Sequence, residues 1–367
     1  MIAIDSFSLL GTIRLLVLFL MTHILVSANS FAASADGNST VVPLIKQQYP
    51  GNPPNIDLLH INIVALGKNK LNVPLMFDTG SAGVTIDCLV VLPRKLCSSA
   101  GIKIERELQL KDLVVTTTQI VSSYGIYDEY GNLAYAKVSF GSSKNPVETR
   151  DVLPILIRYK KVRRATGEIV GGRLWPLGMF GVSPIGGGAQ GALPSPLDFV
   201  DVEQGLHRGF YLSPVGPKWK ACANEDRNCP TVDALHIGLD DATIKEFKLS
   251  KIHRDHPNQN FATINTCLNW KETYSCGPTL FDTGQSTISV LIKKTNSAMS
   301  ALDRGTMVRV TGENFGIWDF KTRYRPEVEF GSFSPWSDVN VIGMRYFEEN
   351  SILFNLESQE IGFRIGR

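Results

Sequence analysis

A chain of 367 residues, 43% hydrophobic and 20% charged, can bury one large core or two smaller ones. A formal net charge of +2 supplies no broad positive field and argues against nucleic acid as a partner. The 32 glycines and 19 prolines, set between short runs of Val, Ile, Leu and Thr, favour a mainly β protein with many turns.

The N-terminus reads as an export signal. Arg14 precedes an apolar stretch, residues 15–26, that is short for a bilayer span. Ala33-Ser34-Ala35 then offers cleavage after Ala35. Residues 1–35 are therefore expected to be a signal peptide and the mature protein to be secreted or periplasmic, with no stable membrane insertion. An uncleaved anchor is the alternative. Residues 36–57, polar and rich in Pro and Asn, read as a flexible N-terminal segment. Within it Asn38-Ser39-Thr40 is a glycosylation sequon, meaningful only in a eukaryotic secretory pathway.

Strands are expected over 58–66, 71–77, 113–123 and 134–140. The second runs into Phe77-Asp78-Thr79-Gly80-Ser81, after which Val84-Thr85-Ile86 resumes an extended pattern, so the chain enters a tight turn and leaves as another strand. The basic run from Arg158 to Arg164 reads as a solvated loop. Residues 178–196, dense in Gly and Pro, should be irregular. Short helices are expected at 197–205, 241–247 and 292–303. A boundary near 212–217 divides an N-terminal lobe, 58–215, from a C-terminal lobe, 216–367.

The C-terminal lobe repeats the first lobe's loop as Phe281-Asp282-Thr283-Gly284, followed by Gln285, Ser286 and the β-branched pair Thr287-Ile288. One Asp-Thr-Gly is a weak signal, because Asp and Gly are ordinary turn residues. Two copies in matching apolar settings, roughly 200 positions apart, imply two related lobes that each donate a carboxylate. Carboxylates meeting across a lobe boundary suit acid–base hydrolysis by an activated water.

The six cysteines fall into close pairs, Cys88 with Cys97, Cys222 with Cys229 and Cys267 with Cys276, as suits an exported, oxidised protein. Fifteen connectivities are open, and local pairing is the simplest. The spacings are too wide for Cys-x-x-Cys zinc binding and the six histidines make no ligand pattern, so neither metal nor cofactor is expected.

These residues, in this order, resemble the pepsin-like family of aspartic peptidases over most of the chain from about Leu58 to Arg367. Phe77 to Ser81 is similar to the family's first catalytic loop, and Asp282 to Ser286 to its second. Tyr124-Gly125, followed by Gly131 and by Tyr135 to Gly141, resembles the hairpin flap over the cleft. Met179-Phe180-Gly181 and Val341-Ile342-Gly343 resemble the two hydrophobic-hydrophobic-Gly elements that pack under the loops. Residues 352–363 resemble the family's last hairpin. Cys88/Cys97 and Cys267/Cys276 sit near its two small disulfide loops.

The resemblance implies two pseudo-symmetric β-barrel-like lobes with a cleft between them. It implies a monomeric endopeptidase acting on protein or peptide and preferring apolar residues at the scissile bond. Asp78 and Asp282 would be catalytic. Thr79 and Thr283 would hold the loops together, supported by Gly80 and Gly284, with Ser81 and Gln285 or Ser286 hydrogen-bonding the outer carboxylate oxygens. Tyr124 and Gly125 would belong to the flap, with Asp128 and Glu129 near its tip. The chain also departs from the pattern. Only Val84, Thr85 and Ile86 stand where an aromatic often follows the first loop, and the interval from Asp282 to Gly343 is far shorter than that from Asp78 to Gly181. Little room precedes Asp78 for a propeptide, so synthesis without a zymogen stage is expected. The competing reading is a catalytically silent binding or inhibitor protein on the same fold.

Overall fold

The computed structural model describes residues 39–49, 56–124, 126–170, 177–185, 193–219, 229–253, 262–292, 300–331 and 339–366. The expected signal segment, Gly125 and Cys222 lie outside them. Strands dominate, and the helices among the described residues are single turns such as Cys88–Val91 and Asp241–Lys245.

Two strands explain how a carboxylate reaches the interior. Asn69–Asp78 starts half-exposed and becomes buried at Phe77 and Asp78. Thr273–Phe281 likewise starts exposed and ends in three buried residues, one position before Asp282. In each, the polar residues come first and the large apolar ones last, so hydrophobic burial pulls the end of the strand inward. A buried Phe is worth about 2 to 3 kcal/mol. Phe77 stacks on Phe180 at 6.5 Å, which in turn meets Phe140 at 4.9 Å. Phe281 sits among Phe315, Tyr346 and Phe363, with centroids 4.8 to 5.5 Å away.

The same topology follows both strands. After the first loop the chain returns as Ala82–Asp87, and Gly178–Val182 then runs parallel to Asn69–Asp78 and antiparallel to Ala82–Asp87. After the second loop it returns as Ile288–Leu291, and Asn340–Ile342 runs parallel to Thr273–Phe281 and antiparallel to Ile288–Leu291. Each inserted strand carries or meets a glycine whose missing side chain makes room for the loop. A Cβ on Gly181 would lie 2.7 Å from the Ser81 carbonyl carbon, and one on Gly343 would lie 2.3 Å from the Gln285 oxygen. The short Gly178–Val182 strand is fully buried, so the expectation of irregular chain from 178 fails at its start. Glycine here serves close packing rather than a turn.

A 17-stranded sheet holds the first copy, and an 8-stranded sheet built from residues 263–342 holds the second. The larger sheet also gathers strands from both ends of the chain. His207–Leu212 pairs with Thr231–Leu239 and with Ser351–Asn355, and Lys248–Lys251 pairs with Glu360–Arg364. The boundary expected at 215/216 therefore falls inside a shared sheet, and residues Ser39–Arg367 form one compact unit.

Three further expectations need correction. The flexible segment at 36–57 contains the strand Thr40–Tyr49, paired with both Thr231–Leu239 and Ile56–Leu66. Val42 and Leu44 are buried in alternation, Pro43 is tolerated at a register shift, and buried Lys46 donates to the carbonyls of Val215 and Gly216 at 2.6 and 2.8 Å. The basic run is strand, not loop. Leu153–Arg163 pairs antiparallel with Tyr127–Ala136, and Arg158 is only 1% exposed. Of the helices, 197–205 is reduced to the 3-10 turn Pro196–Phe199, and Ser300–Ala301 in the third is a strand against Val328–Gly331. Among the described residues no helix is long and apolar enough to cross a membrane.

Candidate active site

The two Asp-Thr-Gly loops meet, and the threonines make the junction. The Thr79 amide donates to Thr283 Oγ1 and the Thr283 amide to Thr79 Oγ1, both at 3.0 Å. Each hydroxyl then donates across to the other strand, Thr79 to the Phe281 carbonyl and Thr283 to the Phe77 carbonyl, both at 2.7 Å. Both threonines are wholly buried, so these four bonds satisfy groups that water cannot reach. At about 1 kcal/mol net each, and more if one were left unmade, they lock the loops in one relative position.

The glycines set how close the carboxylates come. A Cβ on Gly80 would lie 2.5 Å from the Asp282 carboxyl carbon, and one on Gly284 would lie 2.9 Å from that of Asp78. Only a residue without a side chain lets each loop lie against the other loop's aspartate. Each glycine amide also donates to its own loop's aspartate, Gly80 to Asp78 Oδ1 and Gly284 to Asp282 Oδ1, both at 2.7 Å.

Electrostatics follow from this proximity. Burial holds the Asp282 carboxyl well above the usual carboxylate range, and the neighbouring Asp78 adds to the shift by charge and by hydrogen bonding. The amides of Gly284 and Gly80 pull the other way. Two carboxyls in contact cannot both ionise cheaply, so the pair titrates as a unit and retains one proton over a range of pH. Aspartic proteases are the standard example of two carboxyls that share a proton in this way.

The outer carboxylate oxygens are not treated alike. Ser81 donates its hydroxyl to Asp78 Oδ2 at 2.6 Å. Gln285, three positions after Asp282 as Ser81 is after Asp78, turns its amide away and donates to Thr287 Oγ1 at 2.8 Å. Among the described residues, neither Gln285 nor Ser286 hydrogen-bonds the Asp282 carboxylate.

The hairpin expected as the flap is built of Leu113–Tyr124 and Tyr127–Ala136, with Tyr124 opposite Tyr127 at its end. Tyr124 lies close enough to Asp78 for that charge to bear on it. Burial pushes its phenol above the ordinary tyrosine range, with the charges of Glu129 and Asp78 adding to the effect. Asp128 and Glu129 follow directly after the hairpin's end, opposite Ser123 and Ser122, and both are engaged by neighbours. Asp128 accepts from Ser123 at 2.7 Å and pairs with Arg164. Glu129 is 3% exposed and bonded to Arg158, with Lys161 3.8 Å away. Arg158 and Lys161, three positions apart, reach one carboxylate across a register shift between Arg158 and Lys160, so no period-two pattern marks this buried cluster and the charge density of the run masks it.

Of the disulfide candidates, Cys88 is bonded to Cys97 and Cys267 to Cys276. Cys267 and Cys276 face each other directly across the hairpin that leads into the second loop. Cys229 is also disulfide-bonded.

No protein-family model matches the sequence, and no curated protein matches it. The structure is similar to that of an aspartic proteinase from Irpex lacteus, with a TM-score of 0.55 and 12% identity, over 89% of this chain and 98% of that one. At such identity the likeness speaks for fold alone, and the fold is the mainly β, bilobal architecture of the pepsin-like proteinases.

Proposed function

We propose that the chain is an exported aspartic endopeptidase that hydrolyses peptide bonds with a water activated between Asp78 and Asp282. One observation carries the reading: two carboxyls held against each other by reciprocal threonine bonds, with Asp282 kept protonated beyond its usual range. In such a pair the ionised member takes a proton from water while the protonated member polarises the substrate carbonyl and then protonates it. No cofactor is required. The clamp holds the pair aligned before substrate arrives, so little reorganisation is needed in the transition state. Tyr124 on the flap covers the pair and excludes water. The substrate is protein or peptide, bound by a monomer, with apolar residues preferred at the scissile bond. The Cys88–Cys97 and Cys267–Cys276 disulfides fit an oxidising compartment.

The test is cleavage of a denatured protein mixture from about pH 3 to 7, with Asp78→Ala and Asp282→Ala alongside. Activity that both substitutions abolish is the expected result. Folded protein that cleaves nothing across this range would overturn the proposal in favour of a silent binding or inhibitor protein on the same fold.

A further inference from the structure

Beside Tyr124 the hairpin carries a row of aromatic and basic side chains. Residues opposite each other in adjacent strands share a face, so Tyr124, Tyr127 and Arg163 form one row across three strands. The next row on that face is Ser122, Glu129 and Lys161. The charge on Asp78 bears on the Tyr124 phenol, so this is the face on the Asp78 side. Lys161 lies over the Tyr127 ring at 4.3 Å and Arg163 at 5.5 Å, with an Arg163 nitrogen 3.5 Å from the Tyr127 hydroxyl. Both carboxylates of the hairpin are engaged elsewhere. Glu129 is held by Arg158 and Lys161, and Asp128, on the opposite face, is held by Ser123 and Arg164. The Lys161 side chain is 10% exposed, whereas that of Arg163 is 40% exposed. Arg163 meets Glu168 at 3.3 Å, on the turn before Ile169–Val170, and Glu168 is itself 63% exposed. An ion pair this open to water is worth little, and an incoming carboxylate can take its place.

We infer that Arg163 is a specificity-determining residue that selects peptides carrying an acidic side chain a few residues from the scissile bond. The inference rests on the peptidase reading and names the substrate class of that same site. Neighbouring strands lie about 4.8 Å apart, so Arg163 stands about 10 Å from Tyr124 along the row, the span of about three extended residues. A peptide with its scissile bond at the aspartate pair and its chain along the row brings a side chain about three to four positions away within reach of the guanidinium. The guanidinium fork donates N–H groups to a carboxylate, and the Tyr127 ring beside it steadies its plane. Lys161, over the same ring but shielded from water, adds its attraction for a negative group. Glu and Asp are favoured at that position, and Lys and Arg are opposed by like charge.

The test uses internally quenched peptides that carry Glu or Lys at each position up to about four residues from the cut. They are given to the parent, Arg163→Ala, Arg163→Lys, Arg163→Glu and Arg164→Ala. In the parent, one position should show kcat/KM at least about 5-fold higher for Glu than for Lys, and about 0.5 M salt should shrink that ratio. Arg163→Ala should bring the ratio within about 2-fold of unity and Arg163→Glu should invert it, while Arg163→Lys retains part of it. Arg164→Ala, on the opposite face, should leave it in place. Both peptides meet the same protein, so the ratio does not depend on how much of a variant folds. An active parent with no such position overturns the inference, and so does a preference that survives in Arg163→Ala. A parent that cleaves neither peptide sinks the peptidase reading instead. Fluorescence anisotropy with dye-labelled forms of the same peptides then decides the inference. Tighter binding of the Glu peptide that Arg163→Ala abolishes upholds acid selection, and equal or absent binding of both overturns it.

Discussion

Acid should unfold this protein through a residue outside the candidate site. His60 lies in the strand Ile56–Leu66, opposite Ile45 on one side and Met76 on the other, and is fully buried. Burial lowers its pKa from 6.5 to about 3, partly opposed by a bond with the Leu58 backbone. The native imidazole is therefore neutral where the unfolded one is charged. Between these values the unfolded chain binds the extra proton, so the His60 contribution is intact above about pH 6.5 and is lost as pH falls toward 3. At about 1.4 kcal/mol per unit, the loss between neutral pH and about pH 4 is about 3 kcal/mol, a large share of a typical folding free energy. His60→Leu removes the titration and keeps an apolar side chain of similar bulk. Denaturant midpoints of both proteins at about pH 7, 5.5 and 4 give the comparison. Whatever the offset at neutral pH, the variant's stability relative to the parent should improve by about 3 kcal/mol on acidification. Parallel pH dependences would show that the folded protein accommodates a charged His60, and the linkage argued from its burial would fall. The proposed chemistry needs a carboxyl pair that holds one proton, and this strand sets a floor on how acidic the medium can become.

Gly80→Ala places a methyl group 2.5 Å from the Asp282 carboxyl carbon, so cleavage should fall by at least about 100-fold; near-parental kcat would argue against the close approach. Thr283→Val removes the donor to the Phe77 carbonyl and the acceptor for the Thr79 amide, and should cost about 2 to 4 kcal/mol by denaturant unfolding, with Thr283→Ser much milder. Arg323 bonds both Glu327 and Glu348, carboxylates that are 0% and 1% exposed, while Arg345 also serves them. Arg323→Ala should therefore destabilise by about 2 kcal/mol, and Arg323→Lys should recover little because it lacks the fork; denaturant midpoints of the three proteins check this. In the Tyr124 hairpin, the Arg164 amide donates to the Ile126 carbonyl at 3.0 Å and Arg163 sits opposite Tyr127, so the hairpin is braced by a third strand to its end. Amides of 127–131 should then exchange with solvent no faster than those of 153–158, and rapid exchange confined to 127–131 would show that the brace does not hold.

What the sequence reveals and what it hides have separate physical causes. The loops are legible because Asp-Thr-Gly flanked by apolar strands has few alternatives, and because it occurs twice. Gly181 and Gly343 are legible from order alone. The strand Thr40–Tyr49 is hidden because Gln47, Gln48 and Lys46 make it look solvated, yet Lys46 and Gln47 are buried where the strand joins two neighbours. Arg158 and Lys161 are hidden for the same reason: a dense run of charge reads as surface until its partner is found. That partner, Glu129, is 29 positions away from Arg158 and itself reads as part of a turn. The orientation of Gln285 is beyond sequence reasoning. Ser, Thr and Gln all carry donors, and only the nearby Thr287 hydroxyl determines where this one points.

The pattern of likeness and difference between the halves follows from what each part must do. Two carboxylates can share a proton only if they meet at one depth and distance, and that condition treats both loops alike. The threonine bonds and the glycine contacts accordingly come in matched pairs, equal in length to 0.1 Å where they are hydrogen bonds. Equivalent environments would leave the proton equally at home on either side. A reaction that takes a proton on one oxygen and gives it from another gains from a built-in preference. The loops differ in the residue three places on, where Ser81 donates to Asp78 and Gln285 donates to Thr287. The hairpin that carries Tyr124 belongs to one half, where the charge on Asp78 bears on the Tyr124 phenol. Symmetry positions the pair, and the two halves differ in what surrounds it.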